Sequence, residues 1–109
     1  MERKSLTLTK DTFSEQVLES ARPVVVDFWA EWCAPCHRLA PVVERLAAAF
    51  DGRVTVGKVN VDDEPDLARA HDIRAVPSLL VFRGGAVVDR IVGVKSFEDL
   101  SARLEHALA

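Results

Sequence analysis

The chain has 109 residues, 49% hydrophobic and 28% charged, the balance of one globular domain and too short for two. With 14 Lys and Arg against 17 Asp and Glu the formal net charge is −3, and the signs are interspersed, so the basic stripe that a nucleic-acid binder needs is absent. The longest run without a charged residue, Ala75 to Phe82, is eight residues, far below the roughly 20 that cross a bilayer.

A short strand near Ser5 to Leu8 opens the order of elements. Thr9 or Asp11 caps a first helix that carries Phe13, Val17 and Leu18 on one face and ends near Ser20, before Pro23. Val24 to Trp29 reads as a buried strand. The helix after the cysteines runs to about Phe50, with Leu39, Val42, Val43, Leu46 and Ala47 as its apolar stripe, and Asp51-Gly52 stops it. Arg53 to Asn60 is a second β-branched run, and Pro65 takes the first position of a short helix through about Ala70. Ser78 to Arg83 and Val87 to Val92 are strands joined at Gly84-Gly85, the composition of a tight hairpin. Ser96 with Asp99 three residues on resembles a capping box, opening a last helix with Phe97, Leu100, Leu104 and Leu108 inward. The sum is βαβαβαββα, an α/β fold with parallel crossovers first and an antiparallel hairpin last, in one domain over residues 1–109.

The start MERKSLTLTK has basic residues but no apolar h-region, so it does not read as a secretory signal. The expected compartment is the reducing cytosol, where two cysteines so close in sequence are more often catalytic or metal-binding than structural. Cys33-Ala34-Pro35-Cys36 falls where a buried strand gives way to a helix. There the macrodipole and free N–H groups favour a thiolate on Cys33, and cysteines so placed have pKa values of roughly 3.5–7.5 against about 8.5 unperturbed. Pro35 suits the first helical turn, and Cys36, one turn in, is expected to be less exposed. A staple disulfide closing so short a loop gains only about 2 kcal/mol. A structural metal needs four ligands, and His37, His71 and His106 show no ligand spacing. His71 and His106 are expected at the surface. Redox chemistry is therefore the favoured reading.

Asp27 breaks an otherwise apolar strand. Burial is expected to raise its pKa, which suits a proton acceptor near neutral pH; the plainer reading is a structural Asp, hydrogen-bonded or paired with Lys58 on the neighbouring strand, and the two are compatible. Pro77, after Arg74-Ala75-Val76, is either a strand start or a cis bond. Gly93 interrupts the end of the next strand, where it permits close backbone approach. Trp32, with Val61, Val76 and Val92, forms a candidate apolar patch for docking a protein chain around Cys33, while Trp29 fits ordinary core packing better.

The VDFWAEWCAPC segment, Val76-Pro77, Gly84-Gly85 and Gly93, in this order and spacing over essentially the whole length, resemble the thioredoxin family. That resemblance implies the thioredoxin fold, a central mixed sheet flanked by helices on both faces. It implies that Cys33 is the attacking nucleophile, Cys36 the resolving thiol, Asp27 the buried proton acceptor with Lys58 beside it, and Pro77 a cis-proline facing the disulfide. The backbone of Val76, next to Ala75, would pair with a bound substrate strand. Ala34 and His37 depart from the residues most members carry, commonly Gly and Lys, so Ala34, Pro35 and His37 become the candidate tuners of the redox potential, and His37 adds an imidazole beside the site.

The expected function is a monomeric cytoplasmic protein-disulfide reductase, with no bound cofactor and no metal. A flavoprotein thioredoxin reductase using NADPH would regenerate the dithiol. Peroxiredoxins, ribonucleotide reductase and methionine sulfoxide reductases are the clients the resemblance suggests. The alternatives are an oxidase or isomerase of the same fold, and a binding or holdase module in which the cysteines are incidental.

Overall fold

Val24–Trp29 (β2) forms the middle strand of a five-stranded sheet in the computed structural model, which describes residues 4–109. The other strands are β1 (Leu6–Thr7), β3 (Thr55–Asn60), β4 (Ser78–Arg83) and β5 (Ala86–Val92), in the order β1-β3-β2-β4-β5. β3 runs parallel to β2 and to β1, whereas β4 pairs antiparallel with β2 and with β5, so the sheet is mixed. Among the described residues the α-helices are α1 (Ala34–Ala49), α2 (Pro65–Ala70) and α3 (Phe97–Leu108).

Strand pleating sends alternate residues of β2 to opposite faces. Val24, Val26 and Phe28 join Leu8, Phe13, Val17, Val59, Leu80 and Phe82 in one buried cluster. Val25 joins the other, beneath α1 and α3, with Leu39, Val43, Leu46, Leu100 and Leu104. Asp27, two residues after Val25, shares that second face and is the charged residue buried there. The apolar stripe expected for α1 is the one observed, with Val42 at its partly buried margin. Pro41 lies inside α1 and withholds the N–H that the His37 carbonyl would accept. Ser96 caps α3, its Oγ accepting the Asp99 N–H at 3.0 Å, and Leu100 and Leu104 reach the core with Phe97 and Leu108 at its margin.

Four local expectations are corrected. The first helix is one turn of π-helix over Ser14–Leu18, closed by the Glu19 N–H donating to the Ser14 carbonyl at 2.9 Å. Neither Thr9 nor Asp11 caps it by its side chain; Thr12 Oγ1 instead accepts the Thr9 N–H at 3.0 Å, a local bond that competes with helix entry. Phe13 and Val17 are buried, but Leu18 is 40% exposed. The third strand begins at Thr55 rather than Arg53, because the N–H groups of Arg53 and Val54 still bond the Phe50 carbonyl at the end of α1.

Candidate functional site

β2 delivers the chain at Trp29, and α1 takes it up at Ala34, leaving Cys33 as the N-cap residue in extended backbone at φ −93°. Its Sγ accepts the N–H of Cys36 at 3.1 Å, the place a Ser or Asp oxygen fills at an ordinary N-cap. The two cysteines are bonded as a disulfide, with Cα atoms 5.2 Å apart. Cys36 is not the less exposed of the two: both are 3% exposed, because the bond holds the sulfurs together among Trp29, Ala30, Val61 and Val76. What distinguishes them is surroundings. Cys33 Sγ lies at the helix end, where an anion is favoured, and 3.6 Å from the Val76 carbonyl oxygen.

The Val76–Pro77 peptide is cis, the second of the two readings that the sequence left open. Beside it the Ser78 hydroxyl donates to the Ala75 carbonyl at 2.6 Å, and the Gly93 N–H donates to the Pro77 carbonyl at 2.9 Å. Gly93 has φ +92°, and a Cβ there would meet nothing within 4 Å. No group of this chain crowds it, so its left-handed backbone, rather than close approach, is what calls for glycine.

Trp32 is 70% exposed, its indole N–H donating to Asp62 Oδ2 at 2.8 Å. Together with Val61, Ile73, Ala75 and Val76 it lines a groove of about 180 Å³. Val92, 51% exposed, belongs to a neighbouring groove that shares Ala75 and Arg74 with the first. Trp29, expected in the core, is instead half-buried against the cysteine pair, with the Lys58 ammonium 5.0 Å over its ring and His37 edge-on at 6.2 Å. His37 is exposed, its Nε2 2.6 Å from the Glu31 carbonyl oxygen.

Asp27 is 1% exposed, and its Oδ1 has no hydrogen-bond partner. Burial pushes its carboxyl up to about 7, against the opposing pull of the Lys58 charge and with an added push from Glu44. Lys58 stands opposite Asp27 in the parallel register. It closes no ion pair with it, reaching over Trp29 instead, so its influence acts through space.

Some participants were absent from the sequence reading. Glu44, on α1, accepts the N–H groups of Lys4 and Ser5 at 3.1 and 3.2 Å and the Ser5 hydroxyl; its place beside the apolar stripe is the one signal the sequence carries. Asp62 is presented by Asn60, whose Oδ1 accepts its N–H at 2.9 Å, a contact that spacing does not reveal. His71 is not a surface residue: it is half-buried, its ring 5.0, 6.0 and 5.6 Å from those of Phe13, Phe28 and Phe82, with Nδ1 2.9 Å from the Leu67 carbonyl oxygen. His106 is exposed. Among the described residues no three His, Cys, Asp or Glu side chains gather as a metal site, and no helix is long and apolar enough to cross a membrane.

A cysteine pair at the mouth of a helix, on a mixed sheet and facing a cis-proline, defines a thiol–disulfide oxidoreductase of the thioredoxin fold. The family model described as Thioredoxin matches residues 4–106. The chain is 46% identical over 101 residues to Thioredoxin 1 of Nostoc sp., covering 93% of this chain and 94% of the relative. It is 44% identical to the thioredoxin of Synechocystis sp., over 89% of this chain and 91% of that one. Against the thioredoxin of Alicyclobacillus acidocaldarius it is 41% identical over 95% of this chain and 98% of the relative. The chain belongs to the thioredoxin family. Its activity is thiol–disulfide exchange through Cys33 and Cys36, which needs no bound cofactor, and membership implies a reductase and disulfide-containing substrates in general.

Proposed function

We propose that the chain is a monomeric, single-domain protein-disulfide reductase of the cytosol, and that Cys33 attacks while Cys36 resolves. The observation that carries this division is the Cys33 sulfur at the N-cap of α1, accepting the Cys36 N–H. In the dithiol form the Cys33 thiolate attacks one sulfur of a client disulfide; that S–S bond breaks, and the departing client thiolate takes up a proton. Asp27 then accepts the proton of the Cys36 thiol, with Lys58 adjusting its charge. The new Cys36 thiolate attacks Cys33 Sγ, releasing the second client sulfur. Two electrons pass to the client and the Cys33–Cys36 disulfide remains.

An extended client segment would lie across Ala75, Val76 and Pro77, using Trp32, Val61, Val92 and Gly93 as its surroundings. Ala34, Pro35 and His37 would set the potential. A thioredoxin reductase drawing on NADPH would restore the dithiol, and the proposed clients are peroxiredoxin, ribonucleotide reductase and methionine sulfoxide reductase. Trapping tests the assignment of the thiols: Cys36→Ser is expected to accumulate covalent mixed disulfides with clients, visible on non-reducing gels, and Cys33→Ser almost none. Equal trapping by both variants would overturn it.

A further inference from the structure

The segment between α2 and β4 carries one wall of the groove, Ile73 to Val76, and it is held in an uncommon way. α2 ends in a Schellman motif, in which the Asp72 N–H donates to the Arg69 carbonyl at 3.1 Å and the Ile73 N–H to the Ala68 carbonyl at 2.9 Å. The left-handed position of that motif, ordinarily glycine, is filled by Asp72 at φ +56°. The carbonyls of His71 and Asp72 lie past the last helical N–H, so partners must come from elsewhere.

Arg90 of β5 supplies them. Its Nη2 donates to the His71 carbonyl at 2.9 Å and its Nη1 to the Asp72 carbonyl at 3.4 Å. The neighbouring Asp89 is gripped by Arg103 of α3 through two bonds of 2.7 and 2.6 Å, which fixes the strand from which Arg90 reaches. Behind the wall lies the second groove, about 320 Å³, lined by Arg90, Ser78 and Val92 among others. Ile73 packs against the core cluster of Phe13 and Leu80, and Val76 against the cysteine pair, while Arg74 and Ala75 between them border both open spaces. Besides that packing, the wall's polar ties include the Ser78–Ala75 hydrogen bond and a solvent-exposed Arg74–Asp72 pair at 2.9 Å, the latter of little energetic weight.

We infer that Arg90 is a positioning residue for protein substrates: by bridging the His71 and Asp72 carbonyls it holds the Ile73–Val76 wall where an extended client chain must lie. This rests on the reading that Ala75 and Val76 receive the client. A small disulfide without flanking chain reaches the Cys33 sulfur without using the wall, so its reduction is indifferent to Arg90. Arg90 belongs to recognition and not to the chemistry.

The test compares reduction of insulin, a protein disulfide, with reduction of dithiobis(nitrobenzoate), a small aromatic one, at constant reductant. Arg90→Gln is expected to raise KM for insulin by about threefold or more, leaving kcat, the potential and the small-disulfide rate unchanged. Adding Asp72→Gly, which gives the left-handed position to a residue that holds it unaided, is expected to recover most of that KM. Equal losses with both disulfides, or an unchanged insulin KM, would overturn the role of Arg90. Ile73→Glu, which puts a charge in the wall, separates the two levels. If it raises the insulin KM and Arg90→Gln does not, the inference about Arg90 alone fails; if it too has no effect, the groove reading fails and the inference with it.

Discussion

Asp27 is a carboxyl group with one oxygen lacking any partner in a buried site, and the fold bears its cost. Its folded pKa, about 7, stands above the ordinary 3.8, so the native state holds the proton longer than the unfolded chain does. Well below pH 3.8 both states are protonated and ionisation adds no penalty. Between the two values each pH unit costs about 1.36 kcal/mol, so that above pH 7 the penalty has grown to on the order of 4 kcal/mol. Truncation to Ala leaves a small cavity worth about 1–2 kcal/mol. Asp27→Ala is therefore expected to be more stable than the parent at pH 8, by roughly 2 kcal/mol, and less stable at pH 4. Urea titrations at the two pH values check the crossover, and a variant less stable at both would refute the desolvation account. The same variant is expected to be slower in disulfide reduction at neutral pH, because the proposed acceptor for the Cys36 proton is gone.

At the scale of elements, β1 is short and depends on side-chain seating. A Cβ placed on Gly57 of β3 would lie far inside contact distance of the Leu8 side chain, 2.8 Å from its Cγ, and Leu8 is 2% exposed within the cluster of Phe13, Val17 and Phe28. Gly57→Ala is expected to destabilise the fold by about 1–3 kcal/mol through overpacking, read as a lowered urea midpoint with unchanged slope. An unaltered midpoint would mean that Leu8 finds another seat freely. Gly57 also marks where sequence reading stops. Continuous apolar runs identify β2 and β4 and a helical stripe identifies α1, because each of them is buried, while Pro65 marks the start of α2 and Ser96 announces α3 through its own local cap. The π-turn at Ser14–Leu18, closed by the Glu19–Ser14 bond, is not distinguished from an α-helix by apolar spacing. The burial of His71, the grip of Ser5 on Glu44 and the reach of Arg90 to α2 join residues far apart in sequence, and no local pattern encodes them. The cysteine pair and Asp27 were legible for the opposite reason: each breaks its immediate pattern, thiols at a strand-to-helix junction and a carboxylate in a run of valines.

Across the whole molecule, the mixed sheet explains why the site lies where it does. β2 is central and buried on both faces, so its carboxyl end can hold Asp27 away from water while delivering Cys33 to the start of α1. β4, antiparallel to β2, begins where β2 ends, and this brings Val76 and Pro77 against the disulfide. The central claim is that this assembly is built to give electrons to protein disulfides. Equilibrating the Cys33–Cys36 pair against a dithiothreitol redox buffer at pH 7 and quantifying the dithiol fraction tests it most directly. The expected potential is about −270 mV, the general value for thioredoxins. A potential near −120 mV would make the chain a strong oxidant and contradict the reductase reading.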